Sequence, residues 1–232
     1  MENILSVRDV RKSYPKNPAL DGVSFDVGAG QIVGLLGPNG SGKTTLIKII
    51  NTLITNYTGE ILVCGRPLGR ESKAAISYLP DCEYLRRDMS IASLLDMYTD
   101  FFPDFDKAKG AELVRVMNLE ANKRVRQLSK GMKEKLQLAL TMSRRAKLYI
   151  FDEPIAGVDP AARDFILDTI IRNYNDKGSV LFSTHLISDV EGIISRAVFI
   201  KEGKIILDQD ADSLRGERGQ SIDQIFREEF KC

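Results

Sequence analysis

The chain has 232 residues, 43% of them hydrophobic, with 33 basic side chains against 32 acidic ones. That length suits one large domain, or one domain carrying an inserted subdomain, and the hydrophobic share suffices for a substantial core. The near balance of charge lacks the electrostatic footprint of a nucleic-acid binder, so no nucleic-acid partner is expected. The three cysteines, Cys64, Cys82 and Cys232, are widely spaced, and the single histidine, His185, is far from all of them in sequence. Reduced thiols are expected rather than a zinc site or a disulfide framework. The start, MENILSVRDVRKSYPK, carries charge where a signal peptide needs an apolar core. No run approaches the ~18 apolar residues needed to span a bilayer. A soluble chain is expected, with any membrane spanning left to another polypeptide.

In chain order, residues 4–10 and 23–27 alternate apolar and polar as half-buried strands do, with the turn-rich YPKNPALDG between them. QIVGLLG (31–37) reads as a buried strand entering a glycine turn. From Gly42 the spacing becomes helical through Leu46, Ile49, Ile50 and Leu53. TGEILVCGRPL (58–68) predicts one strand flanked by glycines, and ISYLPD (76–81) a strand stopped by Pro80. Residues 89–145 hold no convincing strand; SIASLLDMYTDFF, KAKGAELVRVMNL and GMKEKLQLALTMSRRA read as helices. LYIFDEP (148–154) is apolar on both sides, the mark of a strand in the middle of a sheet. A helix is expected from Pro160, with Asp159 placed to cap it. VLFSTH (180–185) reads as another buried strand, AVFIKEGKIIL (197–207) as a hairpin through Glu202-Gly203, and SIDQIFREEF as a short helix. The expected class is α/β: parallel core strands, a flanking antiparallel sheet and an all-helical insertion near 82–145. All of it is expected to form one domain over 1–232.

The most specific segment is GPNGSGKT, which matches G-x-x-x-x-G-K-[ST] at Gly37, Gly42, Lys43 and Thr44. Glycines let the backbone wrap close to phosphates with N–H groups pointing inward, and the following helix adds its positive dipole end. Lys43 reaches the β- and γ-phosphates as a point charge, and Thr44 offers its hydroxyl to Mg²⁺. With a strand before it and a helix after it, this phosphate loop predicts Mg-ATP binding. Gly37, Pro38, Asn39, Gly40, Ser41, Gly42, Lys43, Thr44 and Thr45 are the residues expected to line the nucleotide.

With the phosphate loop, LSKGM (128–132), LYIFDE (148–153), GVDP (157–160) and STH (183–185), the chain resembles the nucleotide-binding subunit of ATP-binding cassette (ABC) transporters over essentially its whole length. The resemblance implies a P-loop NTPase fold and ATP hydrolysis. LSKGM resembles the family signature LSGGQ, which implies that Ser129, Lys130 and Gly131 meet the nucleotide of an opposite subunit. Ser129 is also placed to cap the helix after it. Lys130 replaces a glycine and Met132 a glutamine; a lysine at a helix start opposes the dipole, so Lys130 either meets a phosphate or acidic partner residue or stays solvated.

By the same resemblance Asp152 holds Mg²⁺ through its water shell, Glu153 polarises the attacking water, and His185 is the switch histidine contacting the γ-phosphate. That sparse set suits phosphoryl transfer, which needs positioning and charge stabilisation rather than covalent chemistry. Lys43, Glu153 and His185 are the expected catalytic residues. Tyr14 matches the position that stacks on adenine, and Asp159 falls at the subunit interface, at the helix cap, or both. SYLPD puts Asp81 where the family has a glutamine that contacts Mg²⁺; an aspartate still binds metal through water but cannot donate a hydrogen bond when ionised. Thr44, Asp81 and Asp152 are therefore the expected metal residues.

Short length, SYLPD and LSKGM together look like the bacterial efflux branch, which implies export and a transmembrane permease encoded as a separate polypeptide. The helical insertion is where the family docks that permease, which implies a cytoplasmic chain held on the inner face of the membrane. A second ATP-binding subunit is also implied, with homodimer and heterodimer both open. The alternative is a soluble cassette ATPase that transports nothing. Translation-factor relatives carry two cassettes and chromosome-maintenance relatives a long coiled coil, and this chain shows neither.

Overall fold

A computed structural model describes residues 3–15, 17–174 and 178–230; Cys232 lies outside them. Six strands form the central sheet: β3 (Ile32–Leu36), β6 (Ile76–Leu79), β7 (Leu148–Asp152), β8 (Ser179–Thr184), β9 (Arg196–Lys201) and β10 (Lys204–Asp210). Their order is β10-β9-β3-β8-β7-β6, parallel throughout except for the β9–β10 hairpin. The second sheet is antiparallel and contains β1 (Asn3–Ser13), β2 (Pro18–Gly28), β4 (Thr58–Val63) and β5 (Arg66–Pro67) in the order β2-β1-β4-β5.

Alternation along the central strands sorts the core into two clusters. Leu35, Ile150, Leu181 and Val198 pack with β1, β2, β4 and α1 (Lys43–Ile50). Their neighbours Leu36, Tyr149, Phe151, Phe182 and Phe199 face the helices. Covered on both faces, these strands read as unbroken apolar runs. The helices after α1 are α2 (Arg70–Ala75), α3 (Ile91–Phe101), α4 (Lys107–Val116), α5 (Lys130–Met142), α6 (Pro160–Asn173), α7 (Ile187–Val190), α8 (Ala211–Arg218) and α9 (Ile222–Glu229). Between β6 and β7 the described chain is helical, with α3 to α5 and a 3₁₀ turn at Val125–Gln127.

Several boundaries differ from expectation. The first two strands run well past 4–10 and 23–27, because a bulge with Asp9 at φ 43° breaks the alternation that marks them. The 58–68 segment is a hairpin, folded at Cys64 (φ 51°) and Gly65 (φ 72°). Leu53 is exposed beyond the end of α1 instead of continuing its apolar face. The helix expected to reach Ala146 ends at Met142. There Arg144 turns inward, donates to Asp104 Oδ1 (3.0 Å) and the Ala74 carbonyl (2.7 Å), and lies 4.2 Å from the Phe102 ring centre. These bonds tie the end of α5 and the α3–α4 loop to the end of α2.

Candidate functional site

The phosphate loop connects β3 to α1, and two of its glycines have no substitute. A Cβ on Gly37 would lie 2.4 Å from the Ile200 carbonyl oxygen, and one on Gly42, at φ 110°, 2.5 Å from that of Ala19. Close approach of β2 and β9 therefore dictates both residues. Pro38, Asn39 and Gly40 are exposed, and Thr45 is half-buried on α1. Lys43 is buried, with 5% of its surface exposed, and its Nζ donates to the carbonyls of Gly37 (2.6 Å) and Pro38 (3.1 Å). The same ammonium lies 3.3 Å from Glu153 Oε1. The Ser41 hydroxyl is buried in the loop without a hydrogen-bond partner.

Opposite the loop, β7 ends in the two adjacent carboxylates. Asp152 is fully buried; its Oδ1 accepts from Ser183 Oγ (2.5 Å) and Thr44 Oγ1 (3.2 Å), and its buried Oδ2 has no partner. Burial raises its pKa above the ordinary carboxylate value, the charges of Asp81 and Glu153 push the same way, and the Ser183 and Thr44 hydroxyls pull it back. Glu153 sits at φ 51°, a backbone region that non-glycine residues seldom occupy. The turn is held by its amide, which donates to the Ser183 carbonyl at 3.0 Å. It re-aims the side chain so that Oε2 meets His185 Nδ1 at 3.0 Å while Oε1 faces Lys43. Strain of this kind persists only where surrounding bonds over-determine it.

Lys43, Thr44, Asp152, Glu153 and His185 thus form one connected set across three strand ends. Ser183 belongs with them, and sequence reasoning misses it although it lies in the STH triplet. Its hydroxyl and carbonyl fix both carboxylates, and only the parallel pairing of Asp152 with Ser183 reveals that.

Asp81 is exposed just beyond β6, on a cleft of about 230 Å³ whose other walls are α5 and residues 153–158. Its charge reaches Asp152. The loop after Asp81 is tied to α5: the Cys82 carbonyl accepts from Gln137 Nε2 (3.1 Å), and Glu83 pairs with Lys133 Nζ (3.1 Å). That bond to Lys133 holds the Glu83 carboxyl below its usual range.

Ser129 and Gly131 line an adjoining cleft with Gly157 and Asp159, and Lys130 and Val158 line both clefts. Ser129 Oγ caps α5, accepting from the Met132 amide at 3.3 Å. The Lys130 side chain is 81% exposed, with Nζ 3.8 Å from Glu134 Oε1, and nothing lies near the position of a Cβ on Gly131. Tyr14 is exposed on the β1–β2 turn, 5.2 Å from Lys12 Nζ by its ring centre, and makes no contact with the connected set.

A parallel sheet carrying a phosphate loop at the end of β3 and a paired carboxylate at the end of β7 defines a P-loop nucleotide hydrolase. A family model described as "ABC transporter" matches residues 20–156. The chain is 30% identical over 217 residues to the ABC transporter ATP-binding protein YtrB of Bacillus subtilis (strain 168), covering 92% of this chain and 74% of that one. It is 29% identical over 229 residues to the lantibiotic transport ATP-binding protein SrtF of Streptococcus pyogenes, covering 98% and 97% respectively. A solved ATP-binding subunit of an ABC transporter superposes with a TM-score of 0.89 at 27% identity, covering 98% of this chain and all of the other. The chain belongs to the ABC transporter family, as one of its ATP-binding, ATP-hydrolysing subunits.

Proposed function

We propose that this chain powers export by a separate transmembrane permease, through ATP-dependent pairing with a second ATP-binding subunit, identical or different. The similarity to a lantibiotic transport subunit supports transport, as do SYLPD and LSKGM. Among the described residues no helix is long and apolar enough to cross a membrane. On this reading the chain is one domain held on the inner face of the cell membrane, with the helical segment near 82–145 as the permease dock.

Within the site, the loop amides from Gly37 to Thr45 and the Lys43 ammonium cradle the β- and γ-phosphates, and Tyr14 stacks on adenine. Thr44 and Asp152 would hold Mg²⁺, with Asp81 reaching it through water; the unpartnered, buried Asp152 Oδ2 and the adjacent Thr44 hydroxyl fit a hard cation. Bound Mg²⁺ would supply charge neutralisation at the phosphates. Glu153 orients and polarises the attacking water, and His185 holds Glu153 and reaches the γ-phosphate. Ser129, Lys130 and Gly131 close over the partner's nucleotide, and Asp159 lies at that interface.

The observation that carries this reading is Glu153 held between Lys43 and His185 at the end of β7. Glu153→Gln is expected to lower ATP turnover by about a hundredfold or more while ATP still binds. Turnover unchanged in that variant would remove Glu153 from catalysis.

A further inference from the structure

Two short stretches of chain lead away from the Glu153–His185 contact. Residues 153–158 run from the end of β7 to the cleft of Ser129 and Gly131, where Gly157 and Asp159 are exposed. Residues 185–189 run from His185 into α7, which carries the half-buried Asp189. Arg163, in the first turn of α6, joins the two. Its Nε donates to the Val158 carbonyl at 2.9 Å, and its Nη1 donates to Asp189 Oδ2 at 2.8 Å.

These bonds close a ring. It passes from Glu153 along the chain to Val158, across the guanidinium to Asp189, and back along the chain to His185. The 3.0 Å contact of His185 Nδ1 with Glu153 Oε2 completes it. Both stretches are folded tightly: the Ala156 amide bonds the Glu153 carbonyl at 3.2 Å, and the Leu186 amide bonds Thr184 Oγ1 at 3.0 Å. The outer bonds are well sheltered, with 26% of each side chain exposed in the Arg163–Asp189 pair. A half-buried guanidinium with two acceptors keeps its geometry better than a solvated surface pair does. The start of α6 does not require the pair, since Pro160 opens the helix and the Arg163 amide bonds the Asp159 carbonyl at 3.1 Å. The single turn α7 is too short to hold its own orientation, so the bond to Asp189 helps fix it.

We propose that Arg163 is a positioning residue for ATP hydrolysis: it keeps His185 aimed at Glu153 and makes that aim follow the exposed segment 157–159. The proposal rests on Glu153 and His185 acting in catalysis and on 157–159 facing a second subunit. A partner that moves this segment shifts the Val158 carbonyl, and the guanidinium passes the shift to Asp189 and so to His185. Arginine suits the task because its planar fork bonds both acceptors in fixed directions. A lysine ammonium reaching Asp189 would give up Val158.

The test is steady-state ATP turnover of the full chain over a range of protein concentrations, so that pairing and chemistry separate. ADP affinity and unfolding in denaturant are measured on the same variants. Arg163→Lys and Asp189→Ala are each expected to lower kcat by about tenfold, with KM and ADP affinity within about twofold of the parent. The double variant should be no slower than the slower single, because one break already opens the ring. A kcat unchanged in both singles, even with reduced stability, overturns the proposal and leaves a structural ion pair. Losses that multiply to about a hundredfold in the double variant also overturn it, since the two residues would then act independently. Glu153→Gln in the same assay separates the proposal from the reading beneath it. If that variant is as active as the parent, the catalytic reading falls and the proposal with it. If it is slow while the Arg163 and Asp189 variants turn over normally, only the positioning role falls.

Discussion

The two halves of the proposed nucleotide site are built in opposite ways. Around β3, β7 and β8, Lys43, Asp152 and Ser183 are buried, Glu153 is held at a strained turn, and every catalytic group touches another. Around the start of α5, Lys130 projects into solvent, Gly131 faces open space, and Ser129 is held by a single cap bond. The first region is organised by its own chain. The second is polar, exposed and shaped but has nothing of its own to act on, which is the form expected of a surface completed by a partner.

Substitutions can break that comparison. Ser129→Ala, on the open half, is expected to lower turnover by about a hundredfold, because on the proposed reading its hydroxyl closes over the partner's phosphate. ATP affinity of the isolated chain should not move, because nothing in the buried half touches Ser129; equilibrium binding measured beside turnover checks both. The lost cap should cost about 1 kcal/mol in denaturant unfolding. A parallel loss of ATP affinity would show that the two halves are not separate.

Ser183→Ala attacks the buried half from behind. It strips one bond from Asp152 Oδ1 and loosens the Glu153 turn, so turnover should fall by about tenfold through mispositioning. Stability should fall by about 1–3 kcal/mol, because a buried carboxylate loses a donor. Unchanged kinetics in a destabilised variant would reduce Ser183 to a packing role.

Asp81→Asn is the mildest. It is expected to reduce turnover several-fold at neutral pH and to weaken Mg²⁺ dependence, since one carboxylate leaves the cation's surroundings. It also carries a pH signature. Burial first, then the charge of Asp81, raises the pKa of Asp152, so the folded chain protonates Asp152 at a higher pH than a free carboxylate would, and function is lost as pH falls through that raised value. Removing the Asp81 charge lowers the pKa, and the acid limb of kcat/KM should move to lower pH. An acid limb that stays in place removes Asp81 from the site.

Much of the buried half is legible in the amino-acid sequence. GPNGSGKT, LYIFDE and STH sit where a buried strand must release polar residues at its end; the loop pattern itself points to Lys43, and the family resemblance of the other two motifs points to Asp152, Glu153 and His185. What pattern does not supply is aim. Glu153 reaches both Lys43 and His185 only because its backbone turns left-handed, and Ser183 matters only through its pairing opposite Asp152. Boundaries are misread where the chain departs from a period: the Asp9 bulge hides the true length of β1 and β2, and a two-residue turn at Cys64-Gly65 splits what reads as one strand. The single turn α7 and the six-residue α2 are too brief for helical spacing to stand out, and α8 buries only Ala211 and Leu214.

The central claim, that one nucleotide is held by one chain and closed over by another, is tested most directly by ATP turnover per chain as a function of protein concentration, with oligomeric state measured in the same samples. Turnover per chain should be slow in dilute monomer and rise as chains pair. A rate independent of concentration, from protein proven to remain monomeric, would contradict the shared site.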